Sequence, residues 1–372
     1  MMMRFLFIFY LQLFVSSAWS AELFEMYRPT RSMGMGGVLT LFPREQDAVI
    51  LNASFLRWNS GVTLEIINLG IGADKNGYDL YNYTSKGGDF DPVSEYDAWF
   101  GKPFWINGFG KASLAIPYFG FAFFSGLQIN AELNNPAFPK FQVNFLNDTI
   151  SMLGFAVPLG PVSSFGVGLK RILRWGGDQD VSLGIIASGN LDNIKDQFNN
   201  RGTGYGVDLS MTTQLDTPFQ PTATIVWQDV GSTQFTKTAG SEAPPRIKDN
   251  LSFGLGSKLD LPGIDLTAGI EYRHITLQGE QLGKKLHMGA ELSLPFVDLR
   301  YGVNQGLSTY GAAVDFWFLT LDAATWTEEL GEYPGQTPQT RYQATLSLQL
   351  GFDANFSLTD SNGGKRKLKQ RR

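Results

Sequence analysis

The stretch Tyr342-Gln343-Ala344-Thr345-Leu346-Ser347-Leu348-Gln349-Leu350-Gly351-Phe352 decides the fold. Tyr342, Ala344, Leu346, Leu348, Leu350 and Phe352 share one face; Gln343, Thr345, Ser347, Gln349 and Gly351 share the other. Period two is the signature of an extended strand with one apolar side. The pattern returns upstream. Ile264, Leu266, Ala268, Ile270 and Tyr272 alternate with Asp265, Thr267, Gly269, Glu271 and Arg273. Leu286, Met288, Ala290, Leu292 and Leu294 alternate with His287, Gly289, Glu291 and Ser293, and Tyr205, Val207, Leu209 and Met211 with Gly206, Asp208, Ser210 and Thr212. Residues 250–259 and 297–304 repeat it.

Length separates the two architectures that alternate in this way. Strands of a soluble sandwich run about 5–6 residues, whereas these run about 9–11, the length of a tilted strand that crosses a bilayer. A sandwich of this size would need two cores, and no linker divides the chain. The polar faces are rich in glycine and carry charges of both signs, which suits a lumen. The expected fold is all-β: a single-domain transmembrane antiparallel β-barrel of about 14 strands (roughly 12–16). Short links near 261–263, 295–296 and 160–161 alternate with longer ones near 175–201, 229–249 and 327–340. Counted back from a last strand ending at Phe352 on the periplasmic side, the short links are periplasmic. The segment 119–157 divides into strands in more than one way.

Composition agrees. Among 372 residues there are 42 glycines, no cysteine, 13% aromatics and 17% charged residues, against about 25% charged in an average soluble domain. Abundant aromatics argue against disorder. The missing cysteine excludes a disulfide scaffold and any cysteine-ligated zinc or iron–sulfur centre. Mean hydropathy is −0.10, and beyond the first 20 residues no apolar run approaches the length of a membrane helix.

Residues 1–20 are expected to be a cleaved secretory signal: Arg4, an apolar run over 5–15, then Ser16-Ser17-Ala18-Trp19-Ser20 with Ala18 and Ser20 at −3 and −1. The run is too short to span a bilayer. At the other end, residues 353–372 form a basic tail through Lys365, Arg366, Lys367, Lys369, Arg371 and Arg372. A solvated periplasmic tail is the plain reading; contact with anionic cell-wall polymer or lipid is the functional one. Export and an overall charge of −5 argue against nucleic acid.

Residues 21–59 do not alternate. They contain Arg31-Ser32-Met33-Gly34-Met35-Gly36-Gly37-Val38 and then Gln46-Asp47-Ala48-Val49-Ile50-Leu51-Asn52-Ala53-Ser54-Phe55-Leu56. This resembles the opening of the FadL-type and PorV-type outer-membrane barrels, whose mature N-termini carry a GMGGA, DDA, YNPAGL pattern. Gly34, Met35, Gly36, Gly37, Asp47, Ala48, Asn52 and Leu56 match it. Gln46 replaces the first acidic residue, and Ala53-Ser54-Phe55 replaces Pro-Ala-Gly. Gly202-Thr203-Gly204-Tyr205-Gly206-Val207-Asp208-Leu209, followed by Trp227-Gln228-Asp229-Val230-Gly231, looks like a strand of the PorV-like branch. Phe352 after Leu348 and Leu350 resembles the terminal signal read by barrel-assembly machinery.

The resemblance implies that residues 21–59 form a plug inside a barrel spanning 60–352. Gly34, Gly36 and Gly37 would let the backbone pass closely or adopt positive φ, Asp47 to Leu56 would form a short helix, and Asn52 would bond to lumen backbone. An ordinary tight turn feeding the first strand is the alternative for the glycines. Asp208, Glu271, Arg273, Glu291, Asp298 and Arg300 are expected to face inward. Mutual pairing around the plug is the plain reading, because unpaired charges away from water are costly; Arg273 and Arg300 receiving an anionic head group is the other. Tyr81, Tyr83, Trp99, Phe100, Phe104 and Trp105 form an aromatic segment suited to an apolar ligand or to packing at the bilayer interface. Leu191, Ile194 and Phe198 have helical spacing.

With only His274 and His287, no nucleophile elbow, no triad and no paired metal ligands, neither catalysis, a metal nor a cofactor is expected. His274 falls on the apolar-facing series. The leading expectation is a FadL-like outer-membrane channel for passive uptake of hydrophobic small molecules such as long-chain fatty acids. The alternative is a non-conducting PorV-like barrel that anchors secreted or envelope proteins. The expected partners are outer-membrane lipid and a hydrophobic small molecule, with envelope proteins in the second case.

Overall fold

In the computed structural model the chain is described over residues 22–59, 61–85, 100–134, 140–182 and 198–352. The expected signal, the basic tail, Trp99, Leu191 and Ile194 lie outside the described residues, and so does the side chain of Tyr83.

The alternating stretches become long antiparallel strands. β1(Val62–Asp74), β2(Pro103–Ile116), β3(Phe119–Asn134), β4(Lys140–Leu159), β5(Ser163–Ser182), β6(Arg201–Gln214) and β7(Thr222–Gln228) make one side of the sheet. After β8(Phe235–Ala239) come β9(Asn250–Leu261), β10(Ile264–Tyr272), β11(Leu286–Ser293), β12(Val297–Asn304), β13(Leu307–Phe316), β14(Leu319–Glu329) and β15(Pro338–Phe352). Almost every neighbour in sequence is a neighbour in space. Two pairings close the ring: β1 with β15, and β5 with β6. β8 stands outside the count, because it pairs only with Arg201–Gly204 of β6, above the part that β7 occupies. Fourteen strands therefore form a closed wall with no free edge, which is how a sheet satisfies its backbone in lipid.

The wall is inside-out. Outward positions carry Leu69, Ile71, Phe123, Leu153, Leu266, Leu299 and Leu346, all exposed, while inward positions carry Lys111, Glu271, Arg300 and Arg341, all buried. A protein in water gains by the reverse arrangement. In β15, Leu346 is 39% exposed and the adjacent Ser347 is 6% exposed, so the face that is apolar in the sequence is the lipid face. This arrangement identifies a transmembrane antiparallel β-barrel.

One end of the wall has short turns, at 117–118, 160–162, 262–263, 294–296 and 317–318. The opposite end carries the long connections 75–102, 229–249 and 273–285. Two links depart from that rule. Residues 215–221 join β6 to β7 at the short-turn end by a longer loop, and residues 305–306 join β12 to β13 at the long-loop end by a two-residue turn, with Gln305 at φ 54° and Gly306 at φ 84°, the type I′ geometry of a tight hairpin. Two further corrections concern boundaries. Residues 175–182, expected in a link, continue β5 in register with β4. His274, expected on the apolar-facing series, lies past the end of β10 at φ 54° and is buried; the left-handed turn breaks the alternation and swings the ring inward. The ambiguous 119–157 region resolves into β3 and β4, paired from Phe119↔Phe155 to Asn134↔Lys140.

The lipid face yields a direct test. Leu346→Lys is expected to lower folding stability in bilayers by about 2–4 kcal/mol, the cost of a lysine near the membrane midplane, in denaturant unfolding followed by heat-modifiable gel mobility. A change below about 0.5 kcal/mol, as on a watered surface, would contradict the assignment.

Candidate functional site

A fourteen-strand ring encloses more space than its own inward side chains fill; an eight-strand ring is already filled. Residues 22–59 occupy that space. Their elements are short: α1(Thr30–Gly34), α2(Glu45–Leu51) and a 3-10 turn over Ala53–Trp58. The rest is extended or turning chain whose polar backbone must find partners on the wall.

The segment starts at the long-loop end. Glu22 accepts a two-pronged ion pair from Arg341 of β15 at 2.7 and 2.9 Å and pairs with Arg28 at 2.5 Å. Glu25 meets Arg273 and His274, each at 2.8 Å. Burial pushes both carboxyls up, but the adjoining cations outweigh it: Arg341 and Arg28 hold Glu22 at about 2, and Arg273 and His274 hold Glu25 at about 2. Both are thus charged in the folded protein.

Further in, backbone meets backbone. Gly34 lies on Gly311 of β13, so that a Cβ added at Gly34 would fall 2.9 Å from the Gly311 Cα. Gly36 and Met35 lie on Gly289 of β11 and Gly302 of β12; a Cβ on Gly302 would fall 2.3 Å from the Gly36 nitrogen. Gly36 and Gly37 take φ of 69° and 78°, a region open to glycine without penalty. The Thr309 hydroxyl fixes the seam, accepting from the Gly36 N–H at 2.9 Å and donating to the Gly34 carbonyl at 3.0 Å.

Beyond the seam, Leu39, Thr40 and Leu41 aim three consecutive N–H groups at the Glu271 carboxylate, at 2.9, 2.7 and 2.5 Å. Such a row of amides is an anion cradle. Arg31 grips Glu291 in a fork at 2.6 and 2.8 Å. Arg300 reaches Glu291 at 2.5 Å, Asp322 at 2.7 Å and Asp298 at 2.9 Å. Arg44 adds a contact to Asp298 at 3.1 Å. Three guanidiniums thus face three carboxylates, two cations coming from the segment and one from the wall. Charge-assisted pairs of this kind, fully partnered, are what a buried ion needs.

Toward the short-turn end, Asp47 accepts from Tyr27 at 2.9 Å and pairs with Lys111, which also meets Glu65 at 2.9 Å. Asn52 donates to the Thr40 carbonyl and to the Thr224 hydroxyl, both at 2.9 Å, and to the Thr212 hydroxyl at 3.2 Å. Its lumen partners are side chains, where backbone was expected. Asn52 also caps the 3-10 turn by accepting from the Ser54 N–H. Val49 and Leu56 pack on Gly120 and Gly154, and a buried apolar cluster including Tyr27, Phe109, Phe124 and Ile172 fills the space beside them. Asp208 pairs with Lys170, which holds Asp229 as well, each at 2.8 Å. A void between the segment and the wall, around Phe24, Met26 and Asn250, is about 20 Å³, room for a single water.

The inward charges Asp208, Glu271, Arg273, Glu291, Asp298 and Arg300 are all buried and partnered. Arg273 is engaged by Glu25 and by His287 at 3.0 Å, and Arg300 by three carboxylates, so neither presents a free guanidinium to a ligand. Of the described aromatic residues, Tyr81, on α3(Lys75–Ser85), and Phe100 are exposed, whereas Phe104 and Trp105 are buried. Trp105 takes an inward position on β2, packs edge-on against Trp326 at 5.6 Å and lies 4.6 Å under the Arg341 guanidinium. Alternation along β2 separates Trp105 from its exposed neighbour Ile106.

Several members of the site escaped the sequence reading. Lys111, Glu65 and Asp322 occupy inward positions of alternating strands, and that parity could have found them. Glu22, Glu25, Arg31 and Arg44 lie in the non-periodic segment, where no pattern singles them out.

No protein-family model matches the sequence, and no characterised protein matches it either. Among solved structures, the chain is similar to the toluene transporter TodX of Pseudomonas putida, with 13% identity, a TM-score of 0.46 and coverage of 88% of this chain and 99% of that one. It is similar to the toluene transporter TbuX of Ralstonia pickettii, with 11% identity, a TM-score of 0.46 and coverage of 90% and 99%. It is also similar to a FadL homologue of Pseudomonas aeruginosa, with 10% identity, a TM-score of 0.34 and coverage of 88% and 99%. At these superpositions the fold of this chain rests on its own strand register, and the ligands of those proteins say nothing about it.

Two outcomes follow from the seam and the carboxylates. Gly302→Leu is expected to lift residues 34–37 off the wall while the barrel survives; limited proteolysis would then cut within 22–59 at least about tenfold faster, with gel mobility unchanged. Unchanged cleavage would contradict the close approach. Because the Glu22 and Glu25 pKa values are depressed on folding, their contribution is complete above about pH 4.5 and is lost as the pH falls toward about 2. A fluorophore on Met26→Cys, the sole thiol in the chain, is expected to gain mobility across that window and to remain immobile from pH 5 to 8.

Proposed function

We propose that this barrel is an outer-membrane channel for passive entry of hydrophobic small molecules, seen here with its bore filled. The observation that carries the reading is that one contiguous segment, 22–59, makes its contacts with the inward face of the wall. A barrel serving only as a membrane anchor could fill a narrower ring with its own side chains. This segment is instead held by glycine contacts, ion pairs and apolar packing along its length, and the polar contacts can be exchanged for water. Residues 21–59 act as the plug in this reading, with Gly34, Gly36, Gly37, Asp47 and Asn52 as the points at which it is seated. Long-chain fatty acids are the proposed class of cargo, an amphiphile that would meet the exposed aromatics Tyr78, Tyr81 and Phe100 at the long-loop end before entering. That end is the outer one, and a signal over residues 1–20 directs the chain there. The resemblance of Gly34–Gly37 and Asp47–Leu56 to FadL-type N-termini supports the same reading.

A second reading has its own observation. The lumen charges are mutually paired, which suits a non-conducting barrel that anchors envelope proteins. Fluorescence separates the two. Titration of the refolded barrel with a long-chain fatty acid is expected to quench tryptophan emission saturably, with affinity about tenfold lower in Tyr81→Ala/Phe100→Ala. No saturable response from a barrel shown to be folded would sink the channel reading and favour the anchor.

A further inference from the structure

Arg171 stands on the lipid face of β5, where a charge is expensive. Among the described strand residues it is the charged side chain that faces outward within the wall below the rim; Arg201, at the rim, lies 4.9 Å from the Trp175 ring. The Arg171 side chain makes no hydrogen bond or ion pair with any described residue. The register explains what surrounds it. One outward row runs Phe123, Ser151, Arg171 and Tyr205 across β3, β4, β5 and β6, and the next row toward the bilayer centre runs Phe121, Leu153, Leu169 and Val207. Ser151, the small member, leaves a gap beside the guanidinium. The result is an open groove of about 430 Å³ whose lining includes Phe121, Leu153, Leu169, Arg171, Tyr205 and Val207.

The polarity of the groove is ordered along the membrane normal. Its charged end lies toward the long-loop end, beside Tyr205, an exposed ring of the kind that sits at head-group depth. Its apolar end lies toward the bilayer centre. An arginine in this position extends to the interface and pairs with what it finds there, and its planar fork matches a phosphate.

We propose that this groove is a binding site for an anionic phospholipid of the leaflet at the long-loop end. The lipid phosphate takes the Arg171 guanidinium, and one acyl chain lies over Leu153, Leu169 and Val207. The site is on the outside of the wall, separate from the bore and independent of what the bore conducts.

Native mass spectrometry of the full barrel in non-ionic detergent tests this, with phosphatidylglycerol as the probe and phosphatidylcholine and oleate as comparators. One phosphatidylglycerol per barrel is expected to be retained in preference to phosphatidylcholine. Arg171→Met is expected to weaken it about fivefold, the effect of one basic residue at an anionic lipid surface. Ser151→Trp, which fills the gap and leaves the arginine in place, is expected to weaken it at least as much. Heat-modifiable mobility shows that both variants are folded. Equal retention by the variants, equal retention of the two phospholipids, or displacement of phosphatidylglycerol by oleate would overturn the proposal; the last would make the groove part of a cargo path.

Discussion

The structure depends on a close approach of backbone to backbone inside the ring. Gly34–Gly37 can lie on Gly289, Gly302 and Gly311 only because the three wall residues carry no Cβ, and neither do Gly34 and Gly36 on the segment. That contact places the Arg31 and Arg44 guanidiniums at the Glu291, Asp298 and Asp322 carboxylates, and the amides of Leu39–Leu41 at Glu271. Remove the approach and Glu271 loses its three amides, while Glu291, Asp298 and Asp322 are left with Arg300 of the wall alone. The charges on the wall and the segment in the bore are therefore one construction, because leaving either half unpaired is costly.

The same construction fixes the segment by contacts of two kinds. A continuous apolar core would separate only by exposing hydrocarbon to water. Here the middle of the segment rests on glycine backbone, carboxylate forks and hydroxyls, with two small apolar groups between them, Met33 on Trp105 and Trp326, and Val38 with Leu41 and Phe42. The largest apolar cluster gathers Tyr27, Val49, Leu56 and Phe124, with Phe24 and Met26 packed against it. The portion nearest the long-loop end is held by the ion pairs of Glu22 and Glu25 together with that packing.

Much of the fold was legible in the sequence, since a strand that separates lipid from lumen writes its two faces at every second residue. The runs through Leu346 and Ile270, the approximate strand number and the inward charges all follow from that alternation. The rest was not legible for physical reasons. His274 broke parity through a single positive φ, and β8 attaches to β6 beyond the reach of any local pattern. The partners within the site lie far apart in the chain: Arg31 and Glu291 are 260 residues apart, and Leu41 and Glu271 are 230. Nothing in either neighbourhood signals the other. Within the aromatic segment, Trp105 turns into the bore while Tyr81 and Phe100 stay exposed, a difference that nearness in sequence does not signal.

The most direct measurement uses the absence of cysteine in the natural chain. Ser54 and Thr212 bring their hydroxyl oxygens to 2.7 Å across the segment and the wall. In the double variant Ser54→Cys/Thr212→Cys, mild oxidation of the membrane-embedded barrel should form an intramolecular disulfide in nearly every molecule, read as a shift in non-reducing mobility after cleavage between the two positions. Little or no bond, with both thiols open to a membrane-impermeant maleimide, would show that residues 22–59 do not occupy the bore.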